Sequence, residues 1–520
     1  MPPGVSVKHD VLNKMLRDNP NSKIGIRLLK SLYGLKQAPM LWNKMLNDVM
    51  VSIGFTRSKS DTCLYVSEKD GKWCVCAAFV DDIIITGTDK EAIELVRTTF
   101  DTKFKGDGQW DEVINSFLGM HIEYNGNELL FNVKSKIEDL FKKFPFLSSP
   151  PKPFKHKWQE APYLVDFEKP PLDDDPLDEE ETLLRDNFAS IVGSCLYFSI
   201  TCRPDIATVV NKACKGMHDP KKIHILYLKA LMKYLKNHKD VKLRYSSTGP
   251  ASSVLQSLSR TYIELGVLDS SPIVGFSDAN HLDKIIDGGM YSTSGNCFLC
   301  YGNLVAWSSK KQTIHASSSM QSELIAASTA ADTGVWLHGL MTEFSVLFGV
   351  SGKVPPVPLL IDNQACLSVA NHPDNSHRTR HIALREFRIR DYVANRQIRP
   401  YWCPGTHNLA DHFTKALKSP LFQRLSSAMG MSGLSREELM PLLDSKRAPK
   451  THDGMVTEWF SKSGGFATFS SFDRLSPDYD DFNRTKTVPS HYALDHSWER
   501  NFKSCHSVSL LNPQPGSLDV

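Results

Sequence analysis

The chain has no apolar run approaching the roughly 18 residues that a bilayer span needs, and its first residues show no leader pattern. Neither a spanning helix nor a secretory route is expected, and a membrane is not among the expected partners. A cysteine framework is also missing, since eleven cysteines are scattered without regular spacing. That excludes a disulfide-stapled scaffold and predicts a reduced, intracellular protein, cytoplasmic or nuclear. One close pair, Cys297 and Cys300 in CFLC, has no second pair to complete a zinc site and reads as two buried strand cysteines. An excess of one charge is absent too. A formal net charge of +3 over 520 residues neither requires nor excludes a nucleic-acid partner, so local clusters must carry that argument. No internal repeat occurs, which argues against a solenoid, and the length predicts two to four domains.

What is present is a succession of patterns. Residues 1–20 show neither a cap nor a strand, whereas Trp42, Met45, Leu46, Val49 and Met50 fall near a 3.6-residue period and predict a helix. Residues 63–67 and 73–86 alternate or run apolar around the charged turn EKDGK, which predicts a hairpin. A helix is expected at 89–100, a second hairpin at FLGMHIEY, NGN and ELLFNV, and a helix at 134–144. Residues 145–183 gather prolines and then the acidic run DDDPLDEEE, which reads as a linker with a solvated acidic surface. Residues 184–240 read as helical, broken at TCRPDIA. From Pro272 strand and helix alternate in an α/β order, with helices at 319–346, 363–370, about 382–394 and 408–417. The signal decays after Lys418, and 445–520 is rich in Ser, Asp, Pro and Asn with little periodicity, so disorder is expected there.

Four acids in the α/β region stand at informative places. Asp278 ends the apolar run IVGFSD, Glu323 lies early in a helix, Asp362 ends PLLID, and Asp411 opens the last predicted helix in HNLADHFTKAL. In an α/β sheet, strand C-termini and helix starts gather at one edge, so acids far apart in sequence can converge there. Converging carboxylates repel and need cations. Hard oxygen donors suit Mg²⁺, or Mn²⁺, and two such ions about 4 Å apart can activate a water and stabilise a leaving phosphodiester oxygen. Taken singly, Asp362 and Asp411 read equally as helix caps or first-turn acids.

The stretches GFSDANHLDKIIDGGMYSTSGNCFLCYGNLVAWSSKKQTIHASSSMQSELIAAS, LLIDNQACLSVANHPDNSHRTRHIALREFRIRDY and NLADHFTKAL resemble the ribonuclease H domain of Ty1/copia-type retrotransposon polyproteins. The resemblance implies a ribonuclease-H-like fold and metal-assisted hydrolysis of the RNA strand of an RNA/DNA hybrid. It makes Asp278, Glu323, Asp362 and Asp411 the catalytic, metal-holding acids. His407, four residues before Asp411, becomes either a proton-transfer or product-release histidine or a plain loop residue. The sequence departs from the family pattern at MQSEL, where Gln321 replaces an acid and Leu324 a tyrosine, and at Ala383 and Arg385.

The N-terminal third resembles the same family. LKSLYGLKQAPMLWNKML is similar to its reverse transcriptase helix, FVDDIIITG to its palm hairpin carrying metal-binding aspartates, and SIVGSCLYFSITCRPDIA to its connecting region. The resemblance makes Asp81 and Asp82 a polymerase metal pair with Phe79 in place of a tyrosine. Lys36 and Gln37 then line the incoming nucleotide, or else form an exposed helix start. A further aspartate from an earlier strand completes the family's polymerase site, and the PPG at residues 2–4 stands where that strand would already have passed. The expected protein is therefore a truncated pol fragment, with its polymerase portion incomplete and inactive alone.

The resulting fold class is α/β and α+β, multidomain: partial reverse transcriptase at 1–105, a thumb-like hairpin and helix at 106–148, linker and connection at 149–270, a ribonuclease-H-like domain at 271–425, and a poorly ordered tail at 426–520. A hybrid presents two charged backbones, which seven arginines between Arg378 and Arg399, Arg378 and Arg380 among them, and Lys310 and Lys311 can track. The expected partners are an RNA/DNA hybrid and a complete polymerase chain. The contrasting reading is a decayed or co-opted nucleic-acid-binding protein without catalysis.

Overall fold

The structure, a computed structural model, describes residue 17 and residues 34–148 (except 81, 105–109 and 112), 161–162, 175–261, 268, 271–281, 291–350 (except 346, 348 and 349), 352–372 and 387–433. All of them fall in one unit that runs to Leu434.

The periodic stretch around Trp42 forms helix α1, Ala38–Ser52, opened by a proline in its first turn and burying Leu46, Val49 and Met50. Beyond it lies an antiparallel sheet of β1 (Thr56–Arg57), β2 (Leu64–Lys69), β3 (Lys72–Phe79) and β4 (Asp82–Gly87), ordered as in the chain. Asp70 and Gly71 both take positive φ between β2 and β3, the backbone a two-residue hairpin turn needs. Strand β3 alternates as its sequence does, turning Cys74, Cys76 and Ala78 inward. Helix α2 (Lys90–Lys103) is capped by the Asp89 side chain and covers the sheet with Ala92, Val96 and Phe100.

A second sheet joins segments that the sequence reading kept apart. Strands β5 (Ser116–Phe117), β6 (Met120–Asn125) and β7 (Glu128–Asn132) form the expected hairpin region, ahead of helix α3 (Lys134–Lys143). Strand β8 (Lys242–Ser246) pairs with β7, and the late strand β14 (Met431–Ser432) pairs with β8. Ordered structure thus continues past residue 426, where a poorly ordered tail was expected. Met431 is buried, and pairing with β8 satisfies its backbone.

Between these strands lie helices α4 (Glu179–Asp186), α5 (Phe188–Thr201), α6 (Ala207–Cys214), α7 (Lys222–Asn237) and α8 (Ser252–Thr261). The acidic run that read as solvated surface is built in at its C-terminal end, while Asp175 and Glu179 are exposed. Asp178 and Glu181 form a reciprocal capping box on α4. Glu181 is buried and accepts a hydrogen bond from Lys222 Nζ at 2.5 Å. The TCRPDIA break holds a fully buried network. Arg203 makes two parallel bonds to Asp205, of 2.9 and 2.7 Å, and Tyr234 donates to the same carboxylate at 2.8 Å. Removing either charged partner would leave the other buried and unpaired.

The third sheet holds β9 (Ile273–Asn280), β10 (Thr293–Cys300), β11 (Asn303–Lys311), β12 (Val357–Ile361) and β13 (Ile398–Trp402), in the order β11-β10-β9-β12-β13. The hairpin strands β9, β10 and β11 are antiparallel, whereas β12 runs parallel to both β9 and β13. Helix α9 (Ser319–Glu343) lies on this sheet through Leu324, Ala327, Ala330 and Ala331. Helices α10 (Gln364–Asn371) and α11 (Arg388–Ala394) complete the layer. Cys297 is buried on β10 and Cys300 partly so, and the described cysteines are all free thiols.

The helix expected at 408–417 does not form. Two short 3₁₀ turns, Gly405–His407 and Leu409–Phe413, stand there, followed by helix α12, Ser419–Ala428. Thr414 leaves helical geometry at φ −126° because its hydroxyl is engaged elsewhere, on Asp278.

Candidate active site

The register of the third sheet creates the site. Ile361 of β12 lies opposite Ser277 of the parallel strand β9, so the residues that follow, Asp362 and Asp278, emerge side by side at one sheet edge. Helix α9 starts at the same edge. The Ser318 side chain caps it by accepting from Gln321 N–H, and Glu323 projects from the second turn. One carboxylate oxygen from each of Asp278, Glu323 and Asp362 lies within 4.8 Å of the others. Among the described residues this is the one group of three such side chains close enough to share an ion.

Asp411 joins this group through a cation. Lys415 Nζ donates to Asp278 Oδ1 at 3.1 Å and to Asp411 Oδ1 at 2.6 Å. The Thr414 hydroxyl donates to the other oxygen of Asp278. The turn carrying these residues sits close to β10 because Gly295, directly opposite Asp278, has no side chain. A Cβ there would come within 2.6 Å of Thr414 Cγ2 and 2.9 Å of Phe413 Cβ. Buried Asn408 fixes the turn from below, donating to Ser277 O at 3.0 Å and accepting from Ala410 N–H at 3.1 Å.

The two capping alternatives are now decided. Asn363, not Asp362, caps α10 by accepting from Cys366 N–H, and Asn408, not Asp411, caps the 3₁₀ turn. Both aspartates are left for the cluster.

Burial and mutual repulsion act on these acids together. Asp278, Glu323 and Asp411 are buried and Asp362 half-buried. Burial, then Asp278 and Asp362, push the Glu323 carboxyl up to about 9. Burial and Asp278 push Asp411 up to about 7, and burial followed by Asp278 also raises Asp362. Burial opposes the charge on Lys415, but Asp278 and Asp411 outweigh it and hold the ammonium protonated. Glu323 Oε2 is buried without a hydrogen-bond partner. An all-oxygen set with an unsatisfied buried oxygen fits a hard divalent cation.

His407 is half-buried with Nδ1 3.0 Å from Thr406 Oγ1, and burial followed by Arg424 lowers its pKa. Its turn lies against the cluster, since a Cβ on Gly405 would sit 3.2 Å from Asp362 Oδ2. Lys310 and Lys311 are exposed at the end of β11. Thr293 lies opposite both Lys311 and Asn280, which puts the lysines at the sheet end where Asp278 emerges. Three serines near these lysines and the start of α9 are engaged within the chain. Ser317 donates to Gln321, Ser318 caps α9, and Ser309 accepts from Asn211. Arg378 and Arg380 lie outside the described residues.

In the first sheet Asp82 opens β4 opposite Phe79, and Asp81 lies outside the described residues. Exposed Val80 takes φ 56° at this turn, and Trp42 Nε1 holds its carbonyl. Lys36 and Gln37 are exposed ahead of α1.

Sequence reading missed Lys415, Thr414, Asn408 and Gly295. Lys415 carried one legible signal, its position four residues beyond Asp411.

The family described as reverse transcriptase (RNA-dependent DNA polymerase) matches residues 13–152. Over a longer span the chain is 28% identical to the "Retrovirus-related Pol polyprotein from transposon RE1" of Arabidopsis thaliana, across 419 residues, 80% of this chain and 25% of that protein. It is 26% identical to the Pol polyprotein from transposon TNT 1-94 of Nicotiana tabacum, covering 78% of this chain and 28% of that protein. A "Transposon Ty1-DR6 Gag-Pol polyprotein" of Saccharomyces cerevisiae is 24% identical over 420 residues. The chain thus spans about a quarter of the length of these relatives. No solved structure matches it.

Proposed function

This chain is copia-type retrotransposon Pol sequence over about four fifths of its length, and on that premise we propose that residues 271–425 form a ribonuclease-H-like domain that cuts the RNA strand of RNA/DNA hybrids. The observation that carries the reading is the meeting of Asp278, Glu323 and Asp362 at one sheet edge, with Glu323 Oε2 buried and unsatisfied. The strand order β11-β10-β9-β12-β13, with β9–β11 antiparallel and β12 and β13 parallel, supports the same fold.

Asp278, Glu323 and Asp362 are the residues to hold Mg²⁺ or Mn²⁺. When bound, such an ion lowers the pKa of a water and neutralises charge at the phosphodiester. The chain itself supplies the rest. Asn408 and Asn363 cap their turns and so leave both aspartates to the site. Lys310 and Lys311 offer cations to a nucleic-acid backbone at the same sheet end. His407, whose pKa burial and Arg424 lower, stands on the turn that packs against Asp362 and is the histidine available for proton transfer. The β3–β4 hairpin with Asp81, Asp82 and Phe79 carries the polymerase ancestry, and the larger partner is a complete polymerase chain.

The test uses the full chain and a hybrid with labelled RNA. With Mg²⁺ or Mn²⁺ the RNA of the hybrid is cut, and single-stranded RNA is spared. Asp362→Asn lowers the rate by about a hundredfold or more, because it removes charge from a shared metal position. Wild-type protein that is inert with both metals between pH 6 and 9 overturns the proposal. Tight hybrid binding without cleavage would instead establish the non-catalytic reading.

A further inference from the structure

Lys415 is the side chain in this site that the acids alone do not explain. Its ammonium bridges Asp278 and Asp411, two carboxylates that belong to separate elements and would otherwise repel. It is half-buried, and its stem rises from the residue after Thr414, whose hydroxyl holds Asp278 from the other side. Three of the four acids form a group compact enough for one ion, and Asp411 stands outside that group, joined to it by Lys415.

We propose that Lys415 is a built-in counter-cation that occupies the position between Asp278 and Asp411. By doing so it limits the nucleic-acid-free site to one divalent ion, held by Asp278, Glu323 and Asp362. The inference rests on the metal-centre reading above. A monovalent ammonium on a flexible stem offsets one of the two charges of the Asp278–Asp411 pair, positions Asp411, and must be displaced before a second divalent ion can use the same two oxygens. Lys415 is therefore a positioning residue, acting through the two carboxylates.

The experiment counts bound Mn²⁺ by calorimetry and electron paramagnetic resonance on the full chain without nucleic acid. Wild type is expected to bind one ion, and Lys415→Arg, which keeps the charge, also one. Lys415→Met is expected to bind two. Lys415→Gln removes the charge but retains a donor to the carboxylates, so it serves if the methionine variant fails to fold, with the same expectation of two. Mn²⁺ should also raise the melting temperature of the charge-removing variants more than that of wild type. Equal ion counts in wild type and the uncharged variants, whether none, one or two, overturn the proposal. Because no hybrid is present, the outcome is separate from that of the cleavage assay. Counts of one and two in a chain that leaves hybrids intact would retain this role for Lys415 and reject only the hydrolytic function.

Discussion

Asp362 and Asn363 are adjacent, and Asn408 lies three residues before Asp411; at each place the amide takes the capping work and the acid is spared for the cluster. From sequence, acid and amide at a helix start are both good caps, which is why the two roles were not separable there. The consequence of sparing the acids is measurable. Glu323 at about 9 and Asp411 at about 7 lie above the ordinary carboxylate range, so the folded, metal-free protein keeps protons that the unfolded chain has lost. Raised folded pKa values give stability that is fully present below the unfolded pKa and is lost as pH rises through the folded one. The melting temperature of the metal-free chain should therefore fall from about pH 5 toward pH 9. Since metal needs the deprotonated acids, the increase in melting temperature caused by Mn²⁺ should grow across the same window. Melts at stepped pH with and without Mn²⁺ test this, and a Mn²⁺ effect that does not change with pH contradicts it.

At the scale of elements, the instructive case is the turn from 405 to 413. Its sequence, with Asn408 before an apolar run, reads as a helix start, and the local signals are sound. The chain instead winds as 3₁₀ turns because Thr414 and Lys415 are drawn to a strand more than a hundred residues earlier. No local pattern encodes that pull. Gly295 permits it by leaving room on β10. Gly295→Ala places a methyl against Phe413 Cβ at 2.9 Å and Ala410 O at 3.0 Å, where backbone must move. A loss of about 1–3 kcal/mol is expected from such overpacking, together with weaker Mn²⁺ binding. Gly193→Ala is the matched control. It lies within helix α5 with nothing near its Cβ, so it should leave Mn²⁺ binding unchanged and stabilise by about 0.5–1 kcal/mol through helix propensity. Denaturant unfolding of the two variants should give opposite signs. The β2–β3 turn shows the other limit, since Asp70-Gly71 dictates its own conformation and was legible from the five residues EKDGK.

At the scale of the molecule, the sheets are tied by side chains rather than by continuous strands. Glu343, at the end of α9, accepts hydrogen bonds from Ser58 Oγ, Lys59 N–H, Ser60 N–H and Ser60 Oγ, all between 2.6 and 2.9 Å. Trp336 on the same helix donates to Ser60 O at 3.1 Å. The loop between β1 and β2 is thus wrapped around one carboxylate of the distant helix. Trp307 of β11 donates to Ser199 O of α5, and Thr208 of α6 donates to His412 O. Glu343→Ala should free the loop, raising amide exchange at residues 58–61 at least tenfold, which corresponds to a local loss of about 1.4 kcal/mol or more. Exchange in β9 and β12 should stay unchanged. Equal protection of the loop in both proteins would show that Glu343 does not hold it.

The sequence by itself determined the order and kind of most elements, since hydrophobic period and turn chemistry are local properties of the chain. It also picked out Asp278, Glu323 and Asp362 at strand ends and a helix start, and the motifs that mark the Pol ancestry. Only the tertiary structure decided which acids meet directly, that a lysine bridges the fourth, that the end of the acidic run caps α4 and buries Glu181 in its first turn, and that residues 431–432 complete a sheet begun near 116. Those outcomes depend on register and on contacts between residues far apart in the chain. A single sequence records the partners but not the pairing, because the energy of each contact exists only once the backbone has brought the two sides together.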